Sequence, residues 1–237
     1  MSRSDAHAAR TALRGVVPVL LSGSGVLMIM AARERWWPAC RLGDFDAPDC
    51  LTLQDHQYDF LLPSEPWVPI GAAAQVGAAA LVLLSLALLF LPWLLAGPHR
   101  PAVTLTLGAV LAATMLTIAV TTGRSGLSGR VVEVPGLAWV VWLWLLAPCA
   151  LFIAWIVGEV GESRPGTRWR LAVVVLVSAS TPFGEFFFAS ALLGYLSYDT
   201  TPWSEAVSGV CLVAAGLALW PAIRARPAAR IAVNSPV

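Results

Sequence analysis

Six long apolar stretches constrain this chain more than any other feature of its sequence. A helix needs about 20 apolar residues to cross the roughly 30 Å hydrocarbon core of a bilayer. Because unpaired backbone groups are costly in lipid, each such stretch should be a helix. The sequence therefore predicts an all-α integral membrane protein, a six-span helical bundle. The stretches are residues 15–32, 70–96, 101–122, 137–158, 171–194 and 203–223.

The composition agrees with a chain that faces lipid. Hydrophobic residues make up 58% of the 237 residues and charged residues only 12%, whereas soluble domains carry about 25% charged residues. The formal net charge is +1, and there is no basic patch with interleaved aromatic residues to support nucleic-acid binding. Arginine is used to the exclusion of lysine, a codon bias typical of GC-rich bacteria. We expect a bacterial cytoplasmic membrane, with the lipid bilayer as the main partner.

The distribution of arginine predicts the orientation of the bundle, because cytoplasmic segments are enriched in Lys and Arg. With both termini cytoplasmic, ten arginines and three acids lie on the inner side, against five arginines and ten acids on the outer side. The predicted organisation is an inner N-terminal tail (1–14), a transmembrane domain (15–223) with an extracytoplasmic loop (33–69), and an inner C-terminal tail (224–237).

The first apolar stretch is expected to remain as a span, although a cleaved signal peptide is the alternative. The small residues SGSG, at 22–25, interrupt the stretch, and arginine directly follows the small residues of MIMAAR. We expect SGSG to allow close approach of another helix, as small residues do in membranes.

The outer loop contains Cys40 and Cys50, which we predict to form a disulfide. They lie on the predicted extracytoplasmic side, where disulfides persist. A metal pair is the alternative, but zinc sites usually need closer cysteine spacing and further ligands, and His56 is the one candidate nearby. Cys149 and Cys211 fall within spans and are assigned no chemistry.

The same loop carries clustered carboxylates, which leave a calcium site open beside the simpler interpretation of a solvated acidic surface. Pro48 and Asp49 occupy positions where a calcium-binding loop needs a ligand and a glycine. Spacing alone does not separate these acids from a general acid and base beside His56. The carboxylates are Asp44, Asp46, Asp49, Asp55, Asp59 and Glu65.

Glu185 is an acid deep within a predicted span, in STPFGEFFFAS at 180–190. A lone charge in hydrocarbon costs at least about 2.5 kcal/mol, so the carboxylate needs partners. Helix rise places polar side chains of four spans at a similar depth, and we expect Glu185 to face them inside the bundle, above a kink at Pro182. The candidate intramembrane polar site is Glu185, Thr114, Thr117, Gln75, Thr181 and Ser208.

Three classes of function fit the sequence. The first is a permease-like or carrier-type component with an outward-facing polar cavity around Glu185. Six spans with both ends inside is also the plan of many permease subunits of export ATPases, so an ATPase subunit or another membrane protein is an expected partner. The second is a non-catalytic accessory or scaffold subunit that docks a partner through the outer loop.

The third class is a membrane-embedded enzyme acting on a lipid. It gains no support, because the sequence has no metal-ligand pair, nucleophile motif, phosphate loop or redox CxxC. We accordingly expect no catalytic residue, no cofactor and no bound metal.

The predicted orientation can be tested by cysteine-accessibility labelling. In a variant without the native cysteines, Asp44→Cys should react with an impermeant maleimide added outside intact cells, because the loop 33–69 is expected outside. A cysteine at 166, in a predicted inner loop, is the matched control and should react only after the membrane is opened. Labelling of position 44 from the cytoplasmic side alone would contradict the whole orientation.

Overall fold

Helices account for almost all regular structure in the protein. The computed structural model describes residues 3–95, 101–159, 166–197 and 199–224, and the only strand-like pairing within these ranges is an isolated bridge. The long helices are α1 (Arg3–Trp36), α3 (Ala73–Leu95), α4 (Pro101–Ser128), α5 (Leu137–Glu159) and α9 (Ser204–Arg224). The short ones are α2 (Pro48–Leu53), a 3₁₀ turn (His56–Tyr58), α6 (Thr167–Ala179), α7 (Pro182–Gly184), a π-helical turn (Glu185–Ala189) and α8 (Ser190–Leu193). The predicted all-α class is confirmed.

Four helices are long and apolar enough to cross a membrane, and they lie within α1, α3, α4 and α9. A fifth candidate is the pair Thr167–Ala179 and Pro182–Leu193, which forms either a broken span or a re-entrant loop. In α5, the apolar part Leu137–Ala150 is shorter than a span, while the helical backbone continues to Glu159. The chain thus has the helices of a multi-pass membrane protein, with four to five candidate spans; the count of six and the orientation stay predictions.

The fifth apolar stretch is two helices where the sequence predicted one kinked helix, because the bend between them is 82°. Pro182 has no N–H to donate to the Ser178 carbonyl, which instead accepts from Thr181 Oγ1 at 2.6 Å and Thr181 N at 3.1 Å. Gly184 lies so close to Ser178 and Ala179 that a Cβ there would collide with their backbone. The chain therefore turns sharply and starts a new helix.

The core lies where α1, α3, α4 and α9 meet. Helix α1 packs along both α3 and α9, and α3 packs along α4. Leu21, Leu91, Ile118 and Leu219, one from each of these helices, are fully buried. Helix α5 packs mainly on α4 and leaves Trp139 and other apolar side chains exposed, as expected for a surface in contact with lipid.

The predicted close approach at SGSG is confirmed between α1 and α9. A Cβ on Gly25 would contact the Gly209 carbonyl oxygen and Val213, and a Cβ on Gly209 would lie 2.6 Å from the Gly25 carbonyl oxygen. A Cβ on Gly216 would similarly lie 2.7 Å from the Pro18 carbonyl oxygen. Because these glycines have no side chain, the backbones of α1 and α9 can come into direct contact, and the glycines thus set the separation of the two helices.

Two connections fold against each other where α1 ends and α9 begins, and we call them the loop cap: residues 37–72, 194–197 and 199–203. The predicted disulfide between Cys40 and Cys50 is present, with its Cα atoms 4.7 Å apart. Both cysteines are buried against Trp36 and Phe45, and Trp203 Nε1 donates to the Cys40 carbonyl at 2.7 Å. In the chain-entropy model, closing so small a ring contributes about 2.5–3 kcal/mol.

Substitution at the glycine contact should destabilise the fold. Gly25→Ala places a methyl group against backbone of α9, which cannot move without displacing the helix, and overpacking of this kind typically costs about 1–3 kcal/mol. Gly15→Ala is the control, because a Cβ there meets nothing within 4 Å. Thermal unfolding in detergent should show a lower Tm for Gly25→Ala alone. Equal Tm values for the two variants would contradict the close contact.

Candidate functional site

Arg35, in the last turn of α1, is the centre of a charge network at the base of the loop cap. Its side chain is nearly inaccessible, with 2% of the residue exposed. Nη1 donates to Glu205 Oε1 at 3.2 Å and to Asp59 Oδ1 at 2.5 Å. Nε and Nη2 both donate to the Leu53 carbonyl, at 3.3 and 2.9 Å. A single guanidinium group thus holds together α1, the loop cap and α9.

Glu205 lies in the first turn of α9 and is also buried. Besides the bond from Arg35 to Oε1, its Oε2 accepts from Trp36 Nε1 at 2.8 Å and, more weakly, from Ser204 Oγ at 3.5 Å. The Arg35 guanidinium also lies 4.2 Å from the centroid of the Trp36 ring, within range of a cation–π interaction. Both oxygens of this carboxylate are therefore occupied by donors.

Asp59 brings the loop cap into the same network, and 31% of its side chain remains exposed. Its Oδ1 also accepts from Thr200 Oγ1 at 2.9 Å, and its carbonyl accepts from Trp67 Nε1 at 2.9 Å. Burial raises the pKa of Asp59 above its ordinary value, while the charge of Arg35 opposes that shift. The result is a carboxylate that joins both connections of the cap.

Gln54 joins the two connections of the loop cap by hydrogen bonds to residues of each. Its Nε2 donates to the Phe45 carbonyl at 2.9 Å, and its Oε1 accepts from Ser197 Oγ at 2.5 Å. Its own carbonyl accepts from Thr200 N at 3.1 Å. Together with Asp59, these bonds fold the loop cap over Arg35 and Glu205. Arg35 and Glu205 are therefore shielded from solvent at this end of α1 and α9.

Glu185 begins the π-helical turn that follows the break in the fifth stretch. Its carboxylate is partly buried and interacts with the hydroxyls of Ser204 and Ser208 and with the Glu205 carboxylate. The three phenylalanines that follow are exposed. The EFFFA turn therefore directs its acid toward α9 and its rings toward the surface, which is why a carboxylate can stand next to three aromatic residues. Single π-helical turns are frequent at functional sites.

Ser208 is a buried hydroxyl without a well-formed hydrogen bond. Only 4% of the residue is exposed, and its Oγ lies close enough to the Glu185 carboxylate for a hydrogen bond between them, although no bond of good geometry is formed among the described residues. Buried polar side-chain atoms usually have a partner. The Glu185 carboxylate is therefore the acceptor available to this hydroxyl.

The structure places two of the other predicted site residues beside Glu185. One is Ser208. The other is Thr181, which caps the new helix and whose carbonyl accepts from Glu185 N at 2.6 Å.

The remaining three predicted residues make their hydrogen bonds elsewhere. Thr114 and Thr117 donate to carbonyls of their own helix α4, at 2.8 and 3.0 Å. Gln75 donates to the Gly126 carbonyl at 2.7 Å. None of these described bonds joins them to Glu185.

Sequence reasoning missed the network of Arg35, Trp36, Asp59 and Glu205. Arg35 entered the sequence analysis only as one of the five outer arginines, and Glu205 as one of the ten outer acids. A signal was nevertheless present, because Glu205 falls within an apolar stretch and ionisable residues there usually have a partner.

One group of described residues has the composition of a metal site. Ligand atoms of Asp55, His56 and Asp199 lie within 4.8 Å of one another, and all three residues are exposed. His56 Nδ1 is 3.2 Å from Asp55 Oδ1 and 3.5 Å from Asp199 Oδ2. Both carboxylates also accept from backbone, Asp55 from Gln57 N at 3.0 Å and Asp199 from His56 N at 2.7 Å. These bonds are sufficient to explain the arrangement as a link between the two connections of the cap.

Two apolar grooves, each of about 530 Å³, lie at the surface of the described part of the chain. The first lies beside the loop cap and includes Trp37, Leu42 and Trp203. The second lies under the break in the fifth stretch and includes Thr181 and Phe187. Their linings are those of surfaces that contact hydrocarbon.

Comparisons with protein families, with curated proteins and with solved structures give no match. The class of the protein therefore follows from its own helices, whose length and apolar character are those of a multi-pass membrane protein.

Removal of the Arg35 guanidinium should be severely destabilising. Breaking one side of a buried ion pair typically costs about 3–5 kcal/mol, because the remaining charge is left uncompensated. We expect Arg35→Met to lower the Tm in detergent strongly, and the added substitution Glu205→Gln to recover part of that loss. Arg33→Met, at an exposed position in the same turn, is the control and should change Tm little. Equal effects of the two arginine substitutions would contradict a central role for Arg35.

Proposed function

We propose that this multi-pass membrane protein is a permease-like or carrier-type component whose ligand or coupling ion engages Glu185. The observation that carries the proposal is the broken fifth stretch, which sets the partly buried Glu185 carboxylate against α9 beside the buried acid Glu205. In this proposal the loop cap is extracytoplasmic. The fold has six spans and cytoplasmic termini in a bacterial cytoplasmic membrane, with α5 and the bent pair among the spans.

The break itself supports a binding role. Irregular backbone at membrane depth is tolerated where it is buried in protein or lines a cavity, and discontinuous helices form the substrate and ion sites of many transporters. Here Thr181 and Gly184 make the turn, and the first side chain after it to face α9 is a carboxylate. A span that served only as a lipid anchor would need neither feature.

The balance of charge supports the same proposal. Arg35 is shared by Asp59 and Glu205, so one guanidinium already serves two carboxylates. Glu185 makes no ion pair among the described residues, and its partners there are hydroxyl groups. The partly buried Glu185 carboxylate therefore favours any bound species that brings positive charge, whether a proton, a metal cation or a cationic group.

The network of Arg35 would act as a closed gate above this site. Its bonds to Asp59 and Leu53 tie α1 to the loop cap, while its bond to Glu205 stays between two spans. Access from the cap side requires the cap to move, so the bonds to the cap have to break during a transport cycle while the pair within the spans can persist. A cycle of this kind alternates between discrete arrangements of packed elements.

An accessory subunit is the second candidate, and the loop cap is the feature that favours it. The cap is closed by a disulfide, folded on Gln54 and bordered by an apolar groove with Trp37 and Leu42, which together make a firm surface for a partner. Recovery of the chain in a fixed complex with a larger membrane protein or an ATPase subunit would favour this candidate.

Substitution of Glu185 tests the carrier proposal. We expect Glu185→Gln to fold and insert normally, because shape and hydrogen bonding are kept, and to fail to complement the growth phenotype of a deletion strain screened across salts, pH and toxic compounds. Glu185→Leu should be at least as inactive. Glu65→Gln, at an exposed position in the cap, is the matched control and should complement.

Two outcomes would count against the proposal. Full complementation by both Glu185 variants would make the carboxylate incidental. Complementation by Gln but not by Leu would identify Glu185 as a structural polar contact, and the accessory role would then be favoured.

A further inference from the structure

The apolar groove beside the loop cap follows the first and last helices of the chain. Its lining extends from Trp37 and Trp203 at the cap to Ile29 of α1 and Val210 of α9, and Leu192 of α8 belongs to it as well. At about 1.5 Å per residue, the helix segments along it are about 10–12 Å long. The groove therefore begins at the cap and is formed by three helices together with the cap.

The apolar side chains of this groove are accessible, and its length indicates what covers them. Leu42 is 78% exposed, Leu192 65% and Val210 57%. Exposed apolar surface of this kind marks a contact with lipid or with another protein. A transmembrane partner helix would follow the full hydrocarbon depth of about 30 Å, whereas the acyl chain of a lipid occupies one leaflet, about 15 Å. A groove of this length fits the acyl chain.

Two donors at the cap end of the groove have no partner among the described residues. The Arg41 side chain is exposed and lines the groove; Asp44 N donates to its carbonyl, but its guanidinium forms no ion pair there. Trp37 is 54% exposed, and its Nε1 forms no hydrogen bond, whereas Trp203 Nε1 donates to the Cys40 carbonyl. Arginine and tryptophan are the side chains that proteins place at the level of lipid headgroups.

The charge of Arg41 narrows the chemistry of the occupant. A guanidinium group binds phosphate oxygens through two parallel N–H bonds, and a phosphodiester carries one negative charge. Arg35, the buried arginine nearby, is already paired with Asp59 and Glu205. An apolar groove with one unpaired guanidinium at its polar end thus complements a molecule that has a hydrocarbon chain and a phosphate.

We propose that this groove binds one anionic glycerophospholipid, with an acyl chain along α1, α8 and α9 and its phosphate on Arg41 and Trp37. The inference depends on the membrane class of the protein and not on the carrier proposal. A lipid in this place contacts the loop cap, α8 and α9 at once, so it stabilises the position of the cap on the bundle.

Native mass spectrometry of the full chain, delipidated in detergent, tests the site. The protein is titrated with dioleoylphosphatidylglycerol and, in parallel, with dioleoylglycerol, which has the same acyl chains and no phosphate. We expect saturable binding of one phosphatidylglycerol and weaker binding of dioleoylglycerol. Arg41→Gln should raise the Kd of phosphatidylglycerol about five-fold, the effect of one arginine at an anionic membrane surface, and leave the Kd of dioleoylglycerol unchanged.

Arg33→Gln is the matched control. Arg33 is an exposed arginine in the last turn of α1 and lies outside the lining of the groove, so its variant loses the same charge and should keep the wild-type Kd. Ala206 belongs to the lining, and Ala206→Leu should weaken both lipids because the larger side chain takes the space of the acyl chain. Arg41→Gln, at an exposed position, keeps the test decisive if Ala206→Leu folds poorly.

Three results would overturn the inference. The first is equal Kd values for the two lipids, and the second is an equal effect of Arg41→Gln and Arg33→Gln. The third comes from a photoreactive amino acid in place of Leu192. If its adduct in native membranes is with a protein and not with a phospholipid, the groove holds a partner helix.

Discussion

The structure depends on the burial of one positive charge. Arg35 is almost fully enclosed, and an enclosed guanidinium is tolerated only when anions and hydrogen-bond acceptors surround it. Here the acceptors come from separate parts of the chain: Glu205 from α9, and Asp59 and Leu53 from the loop cap. Satisfying Arg35 therefore fixes the end of the first helix, the start of the last helix and the cap relative to one another.

The same interaction separates two kinds of buried acid. Glu205 and Asp59 hold Arg35, and their charges are used by the fold. Among the described residues, Glu185 interacts with the hydroxyl groups of Ser204 and Ser208 and with the like charges of Glu205 and Asp59. What distinguishes these acids is therefore their partners, since all three are shielded from solvent to some degree. The proposed carrier function depends on this difference in partners.

The sequence was a good guide to the helices, because length and hydropathy are local properties. The second apolar stretch, expected at 70–96, is the helix Ala73–Leu95, and the sixth, expected at 203–223, is Ser204–Arg224. The fifth stretch differs more from its prediction as one kinked helix, because the angle of its break depends on the contact of Gly184 with the preceding turn. That contact is between residues close in sequence, but its geometry is not expressed in hydropathy.

The polar site was harder to predict, because helix rise gives depth and not direction around the bundle. Thr114 and Gln75 were predicted at depths that match Glu185, yet their hydrogen bonds lie within α4 and toward Gly126. Arg35 was harder still. Its partners depend on how the loop cap folds back through the Cys40–Cys50 bond and Gln54, and a count of charges on each side of a membrane carries no information about such folding.

The distance along the chain between Arg35 and its partner in α9 has a consequence for biosynthesis. The two residues are separated by 170 positions, and Trp36 and Glu205 by 169. Chains emerge N-terminus first, so Arg35 and its partner Asp59 are made long before Glu205 exists. Until α9 is inserted, the guanidinium has only the cap and the polar edge of the bilayer as surroundings. Completion of the last helix is thus the event that closes the bundle, and a chain that stops short of α9 lacks the second carboxylate of Arg35 and the acceptor of Trp36 Nε1.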